Sequence, residues 1–594
     1  MSGRGTNSKT IADLLPRAAE LYGDNVAIRF KEGDQWVSRT FDEVADTVRP
    51  LAFGLVELGV EKGDRVSILG NTRPEWTYFD FAALSVGATV VPIYQTNSPE
   101  ECRYVLENSD SKVVVVEDAE QLEKVRQVRD QLPQLEHVVL MTGTAEDAIS
   151  MQDLADKGAG KDVAAWEALY SAVTPADICT FIYTSGTTGP PKGCIISHGN
   201  YRAMLDMVNE VSVIEDEDIA YLYLPLAHSF ALLIQFGTFD LGTTLAYWER
   251  DPLKILPNLA ELKPTYFPSV PRIFEKIYTA ATSGMEKQGG VKKAIFDWSI
   301  KVGAKMREVE RSGRKPGFFL SRSYAFADKQ VLSKIRNLFG GRIRLAVSGA
   351  APINPEILRF FDAAGVLVLE GWGMTETSTA ATISTPDDFK VGAIGKPFPG
   401  CEVKIADDGE ILVKGPNVFQ GYHKNPEATR ETIVEGWLHT GDIGEIDPDG
   451  FIKITGRKKD IIITAGGKNI TPANLEAEIK QHPLVSQCVV VGDRRPYLVA
   501  LVTLDEEEAV KWAQEKGLPE DPAELSKNPT LKAEIEAHVE KINQNFARVE
   551  QVKKIAILPH DLSQESGELT PTLKVKRAVV AQKHEDAIES LYAA

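Results

Sequence analysis

Two short apolar runs separated by a helical segment constrain the fold of this chain most. Lys112–Val116 and His137–Met141 have the β-branched composition of strands, and Ala119–Leu132 between them has helical character. A strand, a helix and a second strand in this order form a βαβ unit, in which the strands are parallel and the helix covers the sheet. Arg65–Leu69 predicts a further strand. The chain is therefore expected to have an α/β fold, with ligand-binding loops at the carboxyl ends of its strands.

Other segments extend this pattern. Arg344–Ser348 and Val366–Leu369 predict two strands that each run into a glycine-bearing loop. Thr40-Phe-Asp-Glu43 is a capping box and predicts a helix that ends near Leu58. Pro50 lies inside this helix and is expected either to kink it or to split it.

The length predicts more than one domain, because 594 residues exceed the roughly 250–300 residues that one core usually supports. We predict a large domain over residues 1–456, made of mixed, largely parallel sheets layered with helices and carrying a helical insertion at about 280–338. A small, mobile α+β domain is predicted over 457–594. Its predicted elements are the strands Val485–Val491, Tyr497–Thr503 and Lys554–Leu558 and the helices Glu506–Lys516 and Leu531–Asn545.

The most distinctive loop is Phe181-Ile-Tyr-Thr-Ser-Gly-Thr-Thr-Gly-Pro-Pro-Lys-Gly193. Its glycines let backbone N–H groups approach an anion closely, its hydroxyls add donors, and Lys192 supplies a point charge for phosphate oxygens. The Gly-Lys-Ser/Thr triplet of the Walker pattern is missing. The composition therefore predicts a nucleotide-binding loop of another kind.

This loop closely resembles the signature loop of the adenylate-forming enzymes, which include acyl-CoA synthetases, firefly luciferase and the adenylation domains of peptide synthetases. Glu370-Gly-Trp-Gly-Met-Thr-Glu-Thr377 resembles the adenine and magnesium loop of that family, with Trp372 where tyrosine is usual. Further matches are Ser348–Pro352, Trp437–Asp442, Gly456–Asp460 and Thr570–Arg577. The resemblance extends from the Thr40 helix to Arg577.

The resemblance implies roles for individual residues. Catalysis is expected from Lys574, Glu376, Lys192 and Thr184, with Lys576 as the competing lysine, and Mg²⁺ is expected at Glu376 and Thr184. Lys459 matches the hinge, and Gly466 and Gly467 match the loop that meets CoA. The residues expected to bind ATP or AMP are Thr184, Ser185, Gly186, Thr187, Thr188, Gly189, Lys192, Gly349, Ala350, Ala351, Glu370, Gly371, Trp372, Gly373, Met374, Thr375, Asp442, Arg457 and Lys574.

Within the superfamily the chain is most similar to long-chain fatty acyl-CoA synthetases, especially bacterial ones. Leu224–Ser229, Ser269–Lys276 and Gly341–Gly349 carry this narrower match. It implies a ligase that converts a long-chain fatty acid, ATP and CoA into acyl-CoA, AMP and pyrophosphate through an acyl-adenylate. The acyl group is expected near His228, Phe230 and Val270, although His228 can also be a core histidine.

The sequence leaves one alternative function open and disfavours two others. An enzyme that passes the acyl group to a carrier protein has the same site loops, so the acceptor stays open. Activation of an amino acid is disfavoured, because no clear acidic residue surrounds His228 to hold an ammonium group. A regulator that binds nucleotide or acyl-CoA without catalysis is disfavoured, because a binding protein needs no lysine at position 574. The chain is expected to be a monomer or a homodimer.

Charge and cysteine usage restrict partners and compartment. The net charge of −19 argues against nucleic acid and against tight docking to an anionic membrane. The five cysteines form no Cys-x-x-Cys pair, which favours a reducing cytoplasm, and Cys194 is expected in a buried strand. No apolar signal opens the chain, and Phe230–Trp248 is interrupted by polar residues. Peripheral contact with the inner face of a membrane stays open, because an apolar substrate can be taken from a bilayer.

Overall fold

The computed structural model describes residues 4–184, 190–288, 290–465, 469–570 and 574–593, without the side chains of 283–288 and 469. The strands, in chain order, are β1 (Val26–Glu32), β2 (Gln35–Thr40), β3 (Arg65–Leu69), β4 (Thr89–Ile93), β5 (Val113–Val116), β6 (His137–Leu140), β7 (Ile149–Ser150), β8 (Ile178–Thr184), β9 (Lys192–Ser197), β10 (Ile219–Leu222), β11 (Thr244–Tyr247), β12 (Tyr266–Ser269), β13 (Leu345–Ser348), β14 (Val368–Trp372), β15 (Thr382–Ile383), β16 (Lys396–Pro397), β17 (Glu402–Ile405), β18 (Glu410–Lys414), β19 (Gly421–Tyr422), β20 (Ile433–Val434), β21 (Trp437–Ile446), β22 (Ile452–Arg457), β23 (Ile462–Ile463), β24 (Asn469–Ile470), β25 (Val485–Val491), β26 (Leu498–Leu504) and β27 (Val552–Ile557).

The helices are also numbered in chain order. They are α1 (Leu14–Tyr22), α2 (Phe41–Glu57), α3 (Pro74–Ser85), α4 (Pro99–Asn108), α5 (Ala119–Val128), α6 (Met151–Lys157), α7 (Val163–Tyr170), α8 (His198–Glu210), α9 (Ser229–Asp240), α10 (Ile255–Leu262), α11 (Pro271–Gln288), α12 (Gly290–Arg311), α13 (Phe318–Ala327), α14 (Ser333–Asn337), α15 (Pro355–Ala364), α16 (Pro426–Thr432), α17 (Pro472–Ile479), α18 (Glu506–Lys516), α19 (Pro522–Leu525), α20 (Pro529–Asn543), α21 (Arg577–Lys583) and α22 (Glu585–Tyr592).

Two large sheets form the body of the molecule. The first has the strand order β16-β15-β14-β13-β12-β10-β11-β1-β2, and its run from β14 to β1 is parallel. The second has the order β19-β9-β8-β4-β3-β5-β6-β7, with parallel pairing from β8 to β7. Antiparallel strands complete both sheets at their edges. The predicted α/β class with mixed, largely parallel sheets is confirmed.

Buried helices join the two sheets. Helix α3 connects strands of the second sheet, helix α9 connects strands of the first, and nearly all residues of both helices are buried. They meet through Gln235, whose Oε1 accepts a 2.6 Å hydrogen bond from Thr77 and whose Nε2 donates a 2.7 Å bond to Asp80. Burial raises the pKa of Asp80 to about 8. A helix that is buried on all sides is typical of the interior of a large protein. Helices α3 and α9 occupy this position between the two large sheets.

The remaining sheets lie later in the chain. Strands β17, β18, β21, β20 and β22 form an antiparallel sheet, and β23 pairs with β24. In the last sheet, β26 pairs antiparallel with β25 and parallel with β27. This sheet and helices α17, α18 and α20 enclose an apolar cluster that includes Leu475, Ala500, Trp512 and Ile535. The elements predicted after Gly456 are therefore present, within two residues at their ends.

The other local predictions are confirmed in outline. Thr40 and Glu43 form the capping box of α2, and the helix continues unbroken through Pro50 to Glu57, so it is not split. The βαβ unit is present as β5, α5 and β6, with a 3-10 turn replacing the last part of the predicted helix. The helical segment predicted from about residue 280 begins earlier, at Pro271, because proline is favoured in the first helical turn.

Cys194 is buried, as predicted, and the other four cysteines are buried as well. All five are buried and free, and Cys194 lies in strand β9 as expected. Burial raises the pKa of the Cys194 thiol well above its usual value. Within the residues that the structure describes, no helix combines the length and the apolar composition needed to cross a membrane.

Helix α12 packs closely against α15, and this contact yields a prediction. A Cβ atom added at Gly303 of α12 would lie 2.2 Å from the carbonyl oxygen of Ala363 in α15. Gly303→Ala should lower the free energy of unfolding by about 1–3 kcal/mol, because the backbones must separate. Denaturant unfolding measures this, with Ala304→Ser on the exposed side of α12 as the control. Equal stability of the two variants would contradict the close packing.

Candidate active site

The candidate site is built at the carboxyl ends of parallel strands. In the first sheet β10 leads to His228, β12 to Val270, β13 to Gly349 and β14 to the loop that contains Glu376. In the second sheet β8 ends at Thr184, which pairs with Lys192 at the start of β9. The predicted residues Ser185, Gly186, Thr187, Thr188 and Gly189 between these strands lie outside the described residues, as do Gly466 and Gly467.

Glu376 is a buried carboxylate held by a tyrosine. Its Oε1 accepts a 2.7 Å hydrogen bond from the hydroxyl of Tyr422. The Lys192 ammonium lies 5.0 Å from the centre of the Tyr422 ring, a cation–π distance. The negative charge of Glu376 also helps to raise the pKa of the nearby Cys194 thiol. Tyr422 therefore links the two predicted catalytic groups, Glu376 and Lys192.

Asp442 is a second buried carboxylate, and both of its oxygens are engaged. Oδ2 accepts a 2.8 Å hydrogen bond from Nε1 of Trp372, and Oδ1 lies 2.9 Å from Nε of Arg457. Strands β21 and β22 pair Asp442 directly with Arg457, which fixes the second contact. The indole that replaces the usual tyrosine thus orients a carboxylate predicted to hold ribose.

Lys574 comes from the C-terminal part of the chain and faces both carboxylates. Burial, and after it the charge of Arg457, lower its pKa to about 8, and the charges of Asp442 and Glu376 oppose the shift. Its backbone N–H donates a 3.0 Å hydrogen bond to the Thr570 hydroxyl. Lys574 also contributes, after burial, to lowering the pKa of His228 to about 3. The structure therefore brings the ammonium group of Lys574 into electrostatic reach of Glu376, Asp442 and His228.

The small-residue loop after β13 lies against an aromatic ring. A Cβ atom at Gly349 would lie 3.3 Å from Cε1 of Phe230. Ala350 has a φ of +69°, and Ala351 is exposed. Glu370, the partner of Ser348 in strand pairing, accepts a 3.2 Å hydrogen bond from the Gly392 N–H. Burial raises the pKa of the Glu370 carboxyl to about 7.

The backbone after β14 is tightly constrained. Gly371 pairs with Ile383 across the strands, Met374 donates its N–H to the Thr377 hydroxyl at 2.9 Å, and Thr375 is buried. A Cβ atom at Gly373 would lie 2.3 Å from the Thr379 carbonyl oxygen, so only glycine fits there. The neighbouring residues Ser378 and Thr379 have φ values of +48° and +104°. Residues other than glycine disfavour a positive φ, and those that adopt one are concentrated at functional sites.

The three predicted acyl-site residues follow strands β10 and β12 and make local contacts there. His228 caps helix α9, and its Nδ1 accepts a 3.1 Å hydrogen bond from the Phe230 N–H. The N–H of Val270 donates to the hydroxyl of Tyr223 at 3.3 Å. Phe230 and Val270 both pack against the main apolar core. His228 thus has a local structural role in addition to its position near Lys574.

The predicted hinge residue lies between two anchored neighbours. Lys458 donates hydrogen bonds of 2.6 Å to Asp408, in the turn between β17 and β18, and of 3.2 Å to Glu410 of β18. Asp460 lies 3.9 Å from Arg577, which belongs to the C-terminal part. The exposed side chain of Lys459 makes no hydrogen bond or ion pair with any residue that the structure describes.

Tyr422 is the site residue that the sequence analysis missed. It lies 46 positions from Glu376 in the sequence and carries no recognisable phosphate- or metal-binding pattern. Gly421 before it has a φ of +125°, but a single glycine–tyrosine pair is too common to mark a site. No signal in the linear sequence indicated this contact.

Comparison with known proteins identifies the family. The profile of the AMP-binding enzymes matches residues 15–423, and that of the AMP-binding enzyme C-terminal domain matches residues 459–594. The long-chain-fatty-acid–CoA ligase FadD15 of Mycobacterium tuberculosis is 41% identical over 568 residues, which cover 94% of this chain and 92% of that protein. The long-chain-fatty-acid–CoA ligase ACSBG2 of Xenopus laevis is 35% identical over 623 residues, covering 98% and 84%.

Solved structures share the fold. The adenylation domain of a carboxylate reductase from Mycobacterium chelonae has a TM-score of 0.80 at 22% identity and covers 99% of this chain and 92% of its own. ATP-bound MatB from Rhodopseudomonas palustris has a TM-score of 0.70 at 23% identity, with coverage of 97% and 99%. With two family profiles and extensive sequence identity in agreement, the chain belongs to the AMP-binding, adenylate-forming enzymes, in the branch of the long-chain fatty acid–CoA ligases.

Proposed function

We propose that this protein activates long-chain fatty acids with ATP, forms an enzyme-bound acyl-adenylate, and transfers the acyl group to CoA with release of AMP. The observation that supports this most strongly is the position of Lys574. A lysine from the C-terminal part faces two carboxylates, Glu376 and Asp442, at the ends of the strands. A site that only bound nucleotide would not require a desolvated ammonium group at this point.

The first half-reaction needs positive charge around an attacked phosphate. A fatty acid carboxylate attacks the α-phosphorus of ATP, and the bond to pyrophosphate breaks. Lys574 and Lys192 offset the repulsion between the carboxylate and the triphosphate and stabilise the charge that develops on the phosphate oxygens. Asp442, oriented by Trp372 and Arg457, is an acceptor suited to ribose hydroxyls. Burial of these groups strengthens each interaction, because water no longer screens it.

The donor set also suits Mg²⁺. Glu376 supplies a buried carboxylate with one oxygen bound to Tyr422, and Thr184 adds a hydroxyl. Among the described residues no cluster of three or more His, Cys, Asp or Glu side chains could hold a metal ion alone. The Glu376 carboxylate and the Thr184 hydroxyl are donors that fit Mg²⁺, which typically binds one or two carboxylates together with substrate phosphates. When bound, the ion would neutralise phosphate charge.

The second half-reaction needs a path for the CoA thiol. We propose that the chain turns about Lys459, so that residues 457–594 move as one domain relative to 1–456. The anchoring of Lys458 to Asp408 and Glu410 on one side, and of Asp460 to Arg577 on the other, supports a pivot between them. The turn withdraws Lys574 and brings Gly466 and Gly467 towards the thiol. The thiol then attacks the acyl carbon, and AMP leaves.

A direct assay tests the proposal. Purified protein is incubated with ATP, Mg²⁺ and fatty acids of increasing chain length, with and without CoA, and pyrophosphate, AMP and acyl-CoA are quantified. CoA-dependent formation of acyl-CoA from long chains is expected. Pyrophosphate release that stalls at acyl-adenylate would instead favour a carrier protein as acceptor. Absence of pyrophosphate with every fatty acid would overturn the proposal.

Lys574 should be needed for only one half-reaction. Lys574→Ala should lower the rate of pyrophosphate release by roughly 10²–10³, as expected for loss of one well-placed charged donor. Thioester formation from supplied acyl-AMP should be retained, because Lys574 has left the site in that step. Lys576→Ala is the matched control and should behave as the wild type. Equal loss in both half-reactions would contradict this role.

The same lysine should give the first half-reaction a pH limit. The pKa of Lys574 is about 8, so the group is charged below this pH and loses its charge as the pH rises through it. The kcat/KM for ATP in pyrophosphate exchange should therefore decline above about pH 8. Lys574→Arg keeps its charge in this range, so its decline should move to higher pH. An unchanged profile in the arginine variant would assign the limit to another group.

Tyr422 should act through Glu376. Tyr422→Phe removes the donor to Oε1 and should raise the Mg²⁺ concentration for half-maximal pyrophosphate release by about 10–100-fold, the usual cost of losing a hydrogen bond behind a metal ligand. The KM for CoA should not change. Tyr497→Phe, which loses a 3.0 Å hydrogen bond to the Leu591 carbonyl far from the site, is the control. A normal Mg²⁺ titration of Tyr422→Phe would refute the positioning role.

A further inference from the structure

Arg272 connects the parts of the chain on either side of the predicted hinge. It belongs to Ser269–Lys276, one of the three segments that carry the similarity to long-chain acyl-CoA synthetases. Its Nη2 donates hydrogen bonds of 3.3 Å to Oγ of Ser486 and of 3.3 Å to Oδ2 of Asp505. Both partners follow the hinge in the sequence, so this side chain joins the large part of the chain to the C-terminal part.

The near end of this contact adjoins the candidate acyl site. The hydroxyl of Tyr223 lies 2.7 Å from Oγ of Ser269 and accepts a 3.3 Å hydrogen bond from the N–H of Val270. These bonds hold the end of strand β12 at the point where helix α11 begins. Arg272 comes two positions after Val270, so its backbone is fixed by the same bonds.

The charge of Arg272 is placed where its own helix does not stabilise it. Pro271 begins helix α11, so Arg272 lies in the first turn, which contains no acidic residue. A cation is unfavourable at a helix N-terminus, because the unpaired N–H groups there carry partial positive charge. The carboxylate of Glu275 in the same helix lies 3.8 Å away, whereas that of Asp505 lies at 3.3 Å. Asp505, from beyond the hinge, is thus the nearer of these two carboxylates.

The far end of the contact lies on a polar network of the C-terminal part. Ser486 belongs to strand β25, and its hydroxyl donates a 2.6 Å hydrogen bond to Oδ2 of Asp561. Because that proton is committed to Asp561, the hydroxyl oxygen faces Arg272 as an acceptor. Asp561 follows strand β27 and leads into the segment that carries Lys574.

The segment that carries Lys574 is packed as a unit. Leu562 and Leu569 share a buried apolar cluster, and Val575 packs against it. Leu569 and Val575 also form a β-bridge, directly before the position of Lys574 is reached from the C-terminal side. The contacts of Arg272 are therefore joined, through Asp561, to the base of the segment that presents Lys574.

A pair of like charges opposes the contact. Glu478 of helix α17 lies beyond the hinge, and Glu356 lies in the first turn of helix α15, before the hinge. Burial raises the pKa of the Glu478 carboxyl, and the negative charge of Glu356 adds to the rise. The two carboxylates thus repel each other between the same two parts of the chain that Arg272 holds together.

We propose that Arg272 is a positioning residue for acyl-adenylate formation. Through Ser486 and Asp505 it holds the C-terminal part in the arrangement that places Lys574 at the candidate site, and it releases that part for the transfer to CoA. This inference rests on the proposed function, because it assigns Arg272 to one of the two half-reactions.

The exposure of the ion pair suits a contact that breaks in every cycle. The side chains of Arg272 and Asp505 are 30% and 23% exposed. Water reaches both groups when they separate, so neither is left as an uncompensated buried charge. A partly exposed pair that also makes a hydrogen bond changes an equilibrium about five- to tenfold. Such a contact biases the arrangement without locking it.

Separate measurement of the two half-reactions tests the role of Arg272. Arg272→Gln should lower the rate of pyrophosphate release about five- to tenfold, because Lys574 is in place for a smaller fraction of the time. Formation of acyl-CoA from supplied acyl-AMP should be as fast as in the wild type or faster, because that step does not use the contact. An equal loss in both half-reactions would make Arg272 a merely structural residue and overturn the proposal.

A double-mutant cycle assigns the effect to the pair. Asp505→Asn removes the charge but keeps an oxygen that can cap helix α18, and it should slow the same half-reaction. Combined with Arg272→Gln it should cost no more than Arg272→Gln alone, whereas additive losses would overturn the pairing. Arg103→Gln is the matched control, because Arg103 is similarly exposed and its partners lie on its own helix. It should behave as the wild type in both half-reactions.

Limited proteolysis measures the contact without any turnover. Arg457, Lys458 and Lys459 are exposed, and trypsin should cut this segment of Arg272→Gln about five- to tenfold faster than that of the wild type or of Arg103→Gln. Equal rates of cutting would overturn the proposal. A wild-type protein that releases no pyrophosphate with any fatty acid would refute the proposed function. Faster cutting of Arg272→Gln would in that case still support Arg272 as the restraint on the C-terminal part.

Discussion

The carboxylate of Asp442 is the contact on which the organisation of the site depends. Arg457 and Trp372 occupy its two oxygens, so strand β14 of the first large sheet and strands β21 and β22 meet at one buried group. A buried carboxylate is costly unless it is paired and hydrogen-bonded. The three elements are therefore fixed relative to one another, and the position of β22 determines where the chain enters its C-terminal part.

Lys574 is held in a state that favours an anion. Burial lowers its pKa to about 8 even though two carboxylates oppose the shift. An ammonium group whose hydration has been lost gains more from a phosphate oxygen than an exposed one does, because the local dielectric constant is low. Glu376 cannot provide this compensation fully, since its Oε1 is already bound to Tyr422. The desolvated ammonium group of Lys574 therefore suits the negative charge of a nucleotide phosphate.

The helical insertion uses charge in the opposite sense. The whole chain has a net charge of −19, whereas residues 290–338 contain twelve lysines and arginines and four aspartates and glutamates. The same segment exposes four aromatic rings, those of Trp298, Phe318, Phe319 and Phe326. A net charge summed over all residues does not show this local reversal of sign. Only the packing of α12 against α15 and of Phe326 against Trp298 shows that the rings lie outside the core.

The sequence by itself determined the α/β class, the βαβ unit at residues 113–140, the strands and helices after Gly456 and the family, because strand and helix periodicity and glycine-rich loops are local in the chain. Tertiary structure alone decided which side chains touch. The bond from Tyr422 to Glu376, the bond from Trp372 to Asp442 and the approach of Lys574 to both carboxylates join residues dozens to hundreds of positions apart. Such contacts depend on how sheets stack and on where the C-terminal part lies, and neither is encoded in the pattern of neighbouring residues.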